Sequence, residues 1–445
     1  MANIYAYLKI VLRNTEAVAK QDPPQFFLAL LLVSIPMGYA VNSISLALFV
    51  ASTLYCFRFR HIHIRCSLIL PVLLYLLMAL SLLWSVNRGV TSEALFKELP
   101  LLLIPFCFML FPATSINRKP QLIKVFSWAM AAFAVFYLLK AVVRFAITHD
   151  ANVFFYHELV TLDVNAIHVS AYFAVAFFYF ARKNTTPIEI AAAALLFVMI
   201  FLLSSKNVII AFLLLFGIFS VRRSVSTVGA RVILLAGFIL FIGALALVPN
   251  VRDRFSIEYK TAMTSGTVND DISTPNGKVY NVSIADAWNK ETFEPNDFFP
   301  GVAFRVYQVR IFTEMLSEDP IFWNGYGLNA SYGKIKEKTA QHKLFAGNAQ
   351  TAGYQNNNFH NQYIQVFCEL GVFGLILLIA MLIGTLKNGV RTKDFVHISF
   401  AVLMISLFLT ESFLWRQRGI TFFTAMYCLL NAGRWNLPGK DKDLL

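Results

Sequence analysis

The stretch that decides the fold is NFHNQYIQVFCELGVFGLILLIAMLIGTLK, which runs from Asn358 to Lys387. It opens with polar side chains and then continues from Leu370 to Leu386 without a charged residue. A bilayer core takes about 20 residues of helix to cross, so the sequence predicts that the chain enters a membrane over residues 361–386. Polar side chains at such an entry must face protein or a water-filled cavity. They indicate a polar site at one end of a membrane-spanning bundle.

The composition extends this prediction to the whole chain. Of the 445 residues, 58% are hydrophobic and 14% are charged, and the mean hydropathy is +0.61. Soluble domains average about 45–50% apolar and about 25% charged residues. The sequence therefore predicts an all-α polytopic membrane protein with about 12 transmembrane helices and one large, largely helical loop. The predicted spans are 26–40, 43–57, 68–84, 94–112, 122–147, 164–181, 187–203, 206–221, 231–248, 361–386, 395–413 and 418–433.

The first two spans are short and share the kink-prone sequence Pro36-Met37-Gly38, so a single re-entrant hairpin is an alternative to two separate crossings. Residues 1–25 are polar and basic and do not resemble a cleavable signal. The expected organisation is a cytoplasmic amphipathic N-terminus (1–25), transmembrane helices 1–9 (26–248), a periplasmic loop domain (249–360), transmembrane helices 10–12 (361–433) and a cytoplasmic tail (434–445). A disordered tail is the alternative for the N-terminal segment.

The orientation follows from the basic residues. With the N-terminus inside, the cytoplasmic loops and tails hold 20 of the 38 Lys and Arg residues against five acidic ones, whereas the opposite connection 148–163 holds no Lys or Arg. This alternation follows the positive-inside rule and places the 112-residue segment 249–360 outside the cytoplasm. The net charge of +13 is thus a topology signal and does not indicate nucleic-acid binding. We expect an inner-membrane protein with its site on the extracytoplasmic side.

The external segment is the place to expect chemistry. It contains 11 basic and 12 acidic residues and no cysteine, so neither a disulfide framework nor a cysteine metal site is indicated. Its first half, 264–300, has an irregular pattern. Its second half has helical periodicity from Phe304 to Met315, followed by a turn at Pro320 and by two spaced glycines, Gly325 and Gly327.

His360 is the candidate base at the end of this segment. An N-cap at Asn357 or Asn358 would place His360 in the first helical turn, where the helix dipole favours a neutral ring and attracts anions. Asn361, Gln365 and Glu369 would then form a polar stripe. The alternative interpretation is that these side chains only anchor the helix at the membrane interface.

Further charged residues cluster near the same end of the bundle. Lys206, Arg305, Arg416 and Arg418 could together hold a pyrophosphate group by charge-assisted hydrogen bonds, with Glu411 beside them. Snorkelling of long basic side chains to the interface is the alternative. His168 opens another span from the same side, where a helix-end histidine is more common than a ligand-binding one.

Three motifs resemble the O-antigen ligase and O-antigen polymerase family of bacterial envelope glycosyltransferases. The first is His-Asn-x-Tyr-Ile-Gln-x-x-x-Glu-Leu-Gly-x-x-Gly from His360 to Gly374, and the second is an Arg-led helix at Arg305 followed by Pro320, Gly325 and Gly327. The third is a Ser-Arg pair, which reads Ser205-Lys206 here. Lysine keeps the charge but lacks the planar fork of arginine. Gln308 also departs from the family, which usually has a tryptophan there.

The resemblance implies transfer of a glycan from an undecaprenyl-diphosphate carrier, without a metal ion or another cofactor. His360 would be the general base, and Arg305, helped by Lys206 and Arg310, would bind the diphosphate and stabilise the leaving group. The remaining candidate substrate-binding residues are Asn361, Tyr363, Gln365, Glu369, Glu411, Arg416, Arg418 and His168. The expected partners are the lipid-linked glycan donor, a lipid A–core acceptor and membrane lipid.

Three functions are compatible with these residues: two activities of the family and one unrelated function. A ligase joins the glycan to lipid A–core oligosaccharide, and a polymerase extends the glycan on its carrier. A lipid-linked glycan transporter would use the same charges as a path, but transporters often contain paired half-repeats, and the 304–374 region has no second copy. The segment from Glu411 through Arg416-Gln417-Arg418-Gly419 resembles ligase-type members, so the ligase is the favoured function.

Overall fold

The computed structural model describes residues 19–59, 64–110, 119–161, 164–182, 185–222, 259–269, 277–348 and 353–433, together with the single positions 62, 243 and 273. Most of the N-terminal segment 1–25, the predicted span 231–248 except position 243, and the predicted tail 434–445 lie outside the described residues. The described chain is mostly helical, which confirms that part of the predicted fold class.

The helices divide into a bundle and a loop domain. The bundle helices are α1 (Pro23–Ser34), α2 (Tyr39–Tyr55), α3 (Cys66–Leu80), α4 (Arg88–Glu98), α5 (Pro100–Leu110), α6 (Lys119–Thr148), α7 (Tyr156–Leu159), α8 (Ala166–Phe180), α9 (Pro187–Leu202), α10 (Lys206–Arg222), α14 (Gln362–Thr392), α15 (Phe395–Leu407) and α16 (Gln417–Asn431). Short 3-10 turns occur at Ser81–Leu83, Ala151–Phe154 and Phe413–Trp415.

Local sequence explains where several helices begin. Thr186 and Glu189 form a capping box at α9, whose first residue is Pro187, and both features favour a helix start. Asn165 accepts from the Ile167 N–H at α8, and Asp394 accepts from the His397 N–H at α15. Each cap satisfies one of the N–H groups that a helix leaves unpaired at its first turn.

Three described helical segments are long and apolar enough to cross a membrane: Cys66–Leu83, Lys119–Thr148 and Gln362–Thr392. Six further apolar helices have 10–17 residues. The total of 12 spans therefore stays a prediction. The structure also divides the predicted span 94–112, because the polar helix α4 ends at Glu98 and α5 begins at Pro100. Proline has no N–H for the helical hydrogen bond across this break.

Helices α1 and α2 pack against each other as a hairpin. The Met37 N–H bonds to the Ser34 carbonyl in the turn, and the Asn42 amide donates to the Ser34 hydroxyl at 3.1 Å. Helix α1 has 12 residues, which span about 18 Å, less than the roughly 30 Å of a hydrocarbon core. The re-entrant hairpin and the two separate crossings both stay predictions.

The loop domain has a core of its own. It contains α11 (Ile284–Asn289), α12 (Gly301–Glu318) and α13 (Ser331–Gln341), and its buried aromatic side chains include Phe293, Phe299 and Tyr307. Three short strands, β1 (Thr267–Val268), β2 (Tyr280–Asn281) and β3 (Asp297–Phe298), form a sheet in which β1 and β2 are antiparallel and β2 and β3 are parallel. The prediction that residues 264–300 are irregular was therefore wrong in part. Strands of two residues are too short for a period-2 pattern to reveal.

The loop domain docks on a kink in α14. The Tyr326 N–H bonds to the Cys368 carbonyl and the Gly327 N–H to the Glu369 carbonyl, while the Val372 N–H reaches the Phe322 carbonyl. Gly371 has φ +65° and ψ −163° inside the helix. A Cβ on Gly371 would lie 2.0 Å from the Trp323 carbonyl oxygen. Gly325 and Gly327 belong to one motif and Gly371 to another. These glycines allow the backbone of the loop domain to contact the backbone of α14.

We expect Gly371→Ala to loosen the loop domain. A non-glycine residue in this backbone region costs of order 1–3 kcal/mol, and the new methyl group would also collide with Trp323. Gly384→Ala, in the same helix and with nothing within 4 Å of the place that an added methyl group would take, is the matched control. Limited proteolysis and thermal unfolding of the purified proteins should show loss of protection in Gly371→Ala alone. Equal stability of both variants would contradict this docking.

Candidate active site between two cavities

The site is built on the turn 408–410, which directly follows α15. Three groups from other segments donate to the carbonyl groups of this turn. The Gln362 N–H bonds to the Phe408 carbonyl at 2.8 Å, and the Asn361 side-chain amide bonds to the Leu409 carbonyl at 3.2 Å. The Arg305 Nε donates to the Thr410 carbonyl at 3.0 Å. The start of α14 and the loop-domain helix α12 are thereby fixed to the turn after α15.

Glu411 follows directly and lies between the two predicted catalytic residues. Its Oε1 accepts from Arg305 Nη2 at 3.2 Å, and its Oε2 lies 3.8 Å from His360 Nδ1. The Glu411 side chain is 11% exposed, whereas His360 and Arg305 are about one third exposed. The structure therefore brings His360 and Arg305 together through a carboxylate that the sequence had assigned only to substrate binding.

Glu411 lies beyond the last residue of α15, and its surroundings keep it ionised. Burial opposes the charged form, but the neighbouring His360 ring and the Arg305 guanidinium outweigh that effect and lower the pKa of Glu411 below its usual value. An acidic group with a lowered pKa stabilises the folded state above its unfolded-state pKa, about 4.3 for Glu. That contribution is lost as the pH falls through the lowered folded-state pKa. At neutral pH the ion pair with Arg305 is intact.

The predicted capping of α14 was wrong. Asn361 is the N-cap and accepts from the N–H groups of Tyr363 and Ile364, so His360 precedes the helix. His360 has φ +44°, and its N–H donates to the Asn358 side-chain oxygen at 2.9 Å. A side-chain turn thus holds His360 in a left-handed backbone conformation. The Glu411 carboxylate lies 3.8 Å from its Nδ1. His360 therefore does not occupy the first-turn position on which the prediction of a neutral ring depended.

On one side of Glu411 lies a cavity of about 820 Å³, which we term cavity A. Its charged lining comprises Lys206, Arg305 and Glu411, and Lys206 is the first residue of α10. Its other lining residues are Tyr156, Ile167, Ser204, Ser205, Asn207, Ile210, Tyr259, Ala262, Met263, Ile284, Gly301, Val302, Ser406 and Thr410. Cavity A therefore combines cationic side chains with an extensive apolar wall.

Asn207 fixes Lys206 relative to Arg305. Its side-chain amide donates to the Ser406 carbonyl and to the Thr410 hydroxyl, both at 2.7 Å. The Thr410 carbonyl is also the group that accepts from Arg305 Nε. Lys206 and Arg305 come from distant parts of the sequence. Both are positioned by contacts with the same turn after α15, Lys206 through its neighbour Asn207.

His360 lines a second cavity of about 490 Å³, which we term cavity B. It is lined by Tyr39, Lys97, Tyr332, Asn356, Asn357, Asn358, His360, Trp415, Arg416 and Gln417. The rings of Tyr332 and Trp415 lie 5.5 Å apart with an interplanar angle of 33°. Of these residues the sequence had identified only His360 and Arg416 as site candidates. The Asn run was visible in the sequence, but Lys97 and the aromatic residues gave no local signal.

Three other predicted site residues have structural contacts. Arg310 donates to Glu314 at 2.9 Å and to the Lys290 carbonyl at 2.7 Å, so it joins α12 to the segment after α11. Arg418 donates to the Met37 carbonyl and lies over the Tyr39 ring, which holds the α1–α2 turn. His168 is buried, with its ring 4.1 Å from that of Phe413. None of the three lines cavity A or cavity B.

The predicted polar stripe on α14 also faces protein. Tyr363 donates to the Ile405 carbonyl at 2.9 Å. Gln365 donates to Glu369 and accepts from the Phe359 N–H, and the Ser331 hydroxyl donates to Glu369 at 3.4 Å. Together with the cap at Asn361, these contacts hold the loop domain against the start of α14. A role for these residues in substrate binding stays a prediction.

Comparison with known proteins supports the resemblance of the motifs. Residues 191–379 match the family model described as O-Antigen ligase. No curated protein matches the chain. The matched segment contains Lys206, Arg305 and His360, while Glu411 and the cavity B residues Lys97 and Arg416 lie outside it. The match covers 189 of the 445 residues and supports the resemblance over this segment.

Proposed function

We propose, from the O-antigen ligase family domain, that the protein is a bacterial membrane glycosyltransferase that moves a glycan from undecaprenyl diphosphate to lipid A–core oligosaccharide. The observation that carries this proposal is the series His360, Glu411 and Arg305 between two cavities. A reaction that joins two large substrates needs a separate place for each and a catalytic group where they meet. His360 lines cavity B, and its carboxylate neighbour Glu411 lines cavity A.

Cavity A suits the donor. Its basic side chains, Lys206 and Arg305, complement a diphosphate, and residues such as Ile210 and Met263 offer an apolar wall to the isoprenoid chain. Arg305 has five N–H donors and uses three of them on Thr410, Gly301 and Glu411 among the described residues. Two donors are left for a phosphate oxygen. As the glycosidic bond to the diphosphate breaks, these cations would stabilise the charge on the leaving group.

His360 is the proposed general base. Its Nδ1 faces Glu411, so a proton on Nδ1 leaves Nε2 to accept the proton of the acceptor hydroxyl. The acceptor oxygen then forms its bond to the anomeric carbon as the carbon–oxygen bond to the diphosphate breaks. Glu411 would hold the ring in the correct tautomer and stabilise the imidazolium that forms, as the carboxylate of a catalytic triad does.

The same geometry would serve a polymerase, in which cavity B would take a second carrier-linked glycan. The ligase remains favoured because Arg416 and Gln417, part of the pattern that resembles ligase-type members, line cavity B beside His360. The distribution of Lys and Arg supports an inner-membrane protein with both cavities on the periplasmic side.

The proposed base can be tested with a matched pair of variants. His360 and His149 both have positive φ, +44° and +54°, and asparagine tolerates that backbone conformation better than alanine does. We expect His360→Asn to fold normally and to lose transfer activity by about 10²–10⁴-fold, the usual contribution of a general base. His149→Asn, at an exposed position, should retain full activity in the same reconstituted assay. Full activity of His360→Asn would remove His360 from the reaction.

Deletion of the gene distinguishes a ligase from a polymerase. We expect glycan to disappear from lipid A–core while polymerised chains accumulate on the carrier, because attachment alone would fail. Electrophoresis of cell-surface glycolipid and analysis of carrier-linked glycan measure both pools. If single repeat units remain attached to the core, then attachment has survived without chain growth and the polymerase is the correct assignment.

A further inference from the structure

Cavity B has an unusual charge balance. Its described lining contains two side chains that are cationic at neutral pH, Lys97 and Arg416, and no carboxylate. Both are exposed, and neither forms a salt bridge within the described ranges. Glu98, the neighbour of Lys97 in sequence, is buried and does not line the cavity. The cavity therefore presents positive charge that the described protein does not neutralise.

The other lining groups suit a sugar. Asn356, Asn357, Asn358 and Gln417 supply amide donors and acceptors for hydroxyl groups. Trp415 and Tyr332 lie at a shallow angle to each other and provide flat apolar surfaces, on which the C–H face of a sugar ring can pack. Cavity B also lacks the aliphatic wall of cavity A. An oligosaccharide fits this lining better than a lipid chain does.

From these features we infer that cavity B recognises an anionic saccharide, with Lys97 and Arg416 binding its acidic substituent and Trp415 packing against a sugar ring. The inference rests on the proposed glycan transfer and names the class of its acceptor: a sugar that carries a phosphate or a carboxylate near the reacting hydroxyl. Lys97, which comes from α4 far from the family domain, becomes a specificity-determining residue.

Trp415 provides a direct readout that does not require transfer. The full chain, purified in lipid nanodiscs, is titrated with glucose 6-phosphate, glucuronate and glucose while tryptophan fluorescence is recorded. The chain has six tryptophans, so Trp415→Phe identifies the part of the signal that arises in cavity B. We expect at least one anionic sugar to bind about tenfold more tightly than glucose, a difference of one decade in Kd. A response to glucose 6-phosphate alone indicates that the acidic substituent of the bound saccharide is a phosphate. A response to glucuronate alone indicates that it is a carboxylate.

Variants test the two cations. The double variant Lys97→Gln with Arg416→Gln should weaken binding of the anionic sugar by about tenfold, and Lys336→Gln, an exposed lysine of α13, should not. Added salt should weaken binding to the parent protein and have little effect on the double variant, because exposed charges are screened. The salt titration of the parent requires no substitution, so it remains informative if a variant folds poorly.

The result that would overturn the inference is equal binding of glucose and both anionic sugars, or unchanged affinity in the double variant. This failure is distinguishable from failure of the proposed function. If the parent protein transfers glycan but does not prefer anionic sugars, the inference is wrong and the function stands. If anionic sugars bind but no acceptor receives a glycan, the transfer proposal is wrong and the site stands.

Discussion

The structure depends on how the carbonyl groups of the turn 408–410, directly after α15, are paired. A carbonyl group that lies away from water needs a hydrogen-bond donor, since each unpaired buried one costs about 1–3 kcal/mol. Here the donors come from the start of α14 and from the loop-domain helix α12, through Asn361, Gln362 and Arg305. This constraint brings three distant segments together at one turn. Glu411 follows that turn, so its carboxylate reaches both Arg305 and His360.

The docking of the loop domain follows from the same arrangement. Arg305 fixes one end of α12, and the backbone contacts around Gly325 and Gly371 fix the segment that follows it. Glycine is needed there because neither backbone could approach the other past a Cβ. The buried contacts of Gln365 and Glu369 with Ser331 hold α13 against α14. Several motif residues thus build the frame of the site, while few of them line its cavities.

The sequence predicted the parts of this account that local pattern controls. Long apolar runs predicted most helices, and the charged residues near one end of the bundle made His360, Arg305 and Lys206 candidates. The prediction from sequence was wrong where the local pattern is compatible with several structures. Asn357, Asn358 and Asn361 are all good caps, and the tertiary contact of Asn361 with Leu409 favours the last. Lys97, Tyr39 and Tyr332 reach cavity B only because α4, the α1–α2 turn and α13 converge there, and no spacing in the sequence encodes that convergence. Arg310 has the same charge and nearly the same context as Arg305, but it lies on another face of α12 and binds the loop domain instead.

The central claim is that two substrates occupy two cavities, one lined by Glu411 and the other by His360. Site-specific photocrosslinking tests it most directly, with a photoreactive phenylalanine analogue at Ile210 in cavity A and at Tyr39 in cavity B, both exposed side chains. Membranes that contain both substrates are irradiated, and the captured lipid is identified by mass spectrometry. The account predicts the diphosphate-linked glycan at position 210 and the core oligosaccharide acceptor at position 39. Capture of the same lipid at both positions, or the reverse assignment, would contradict it.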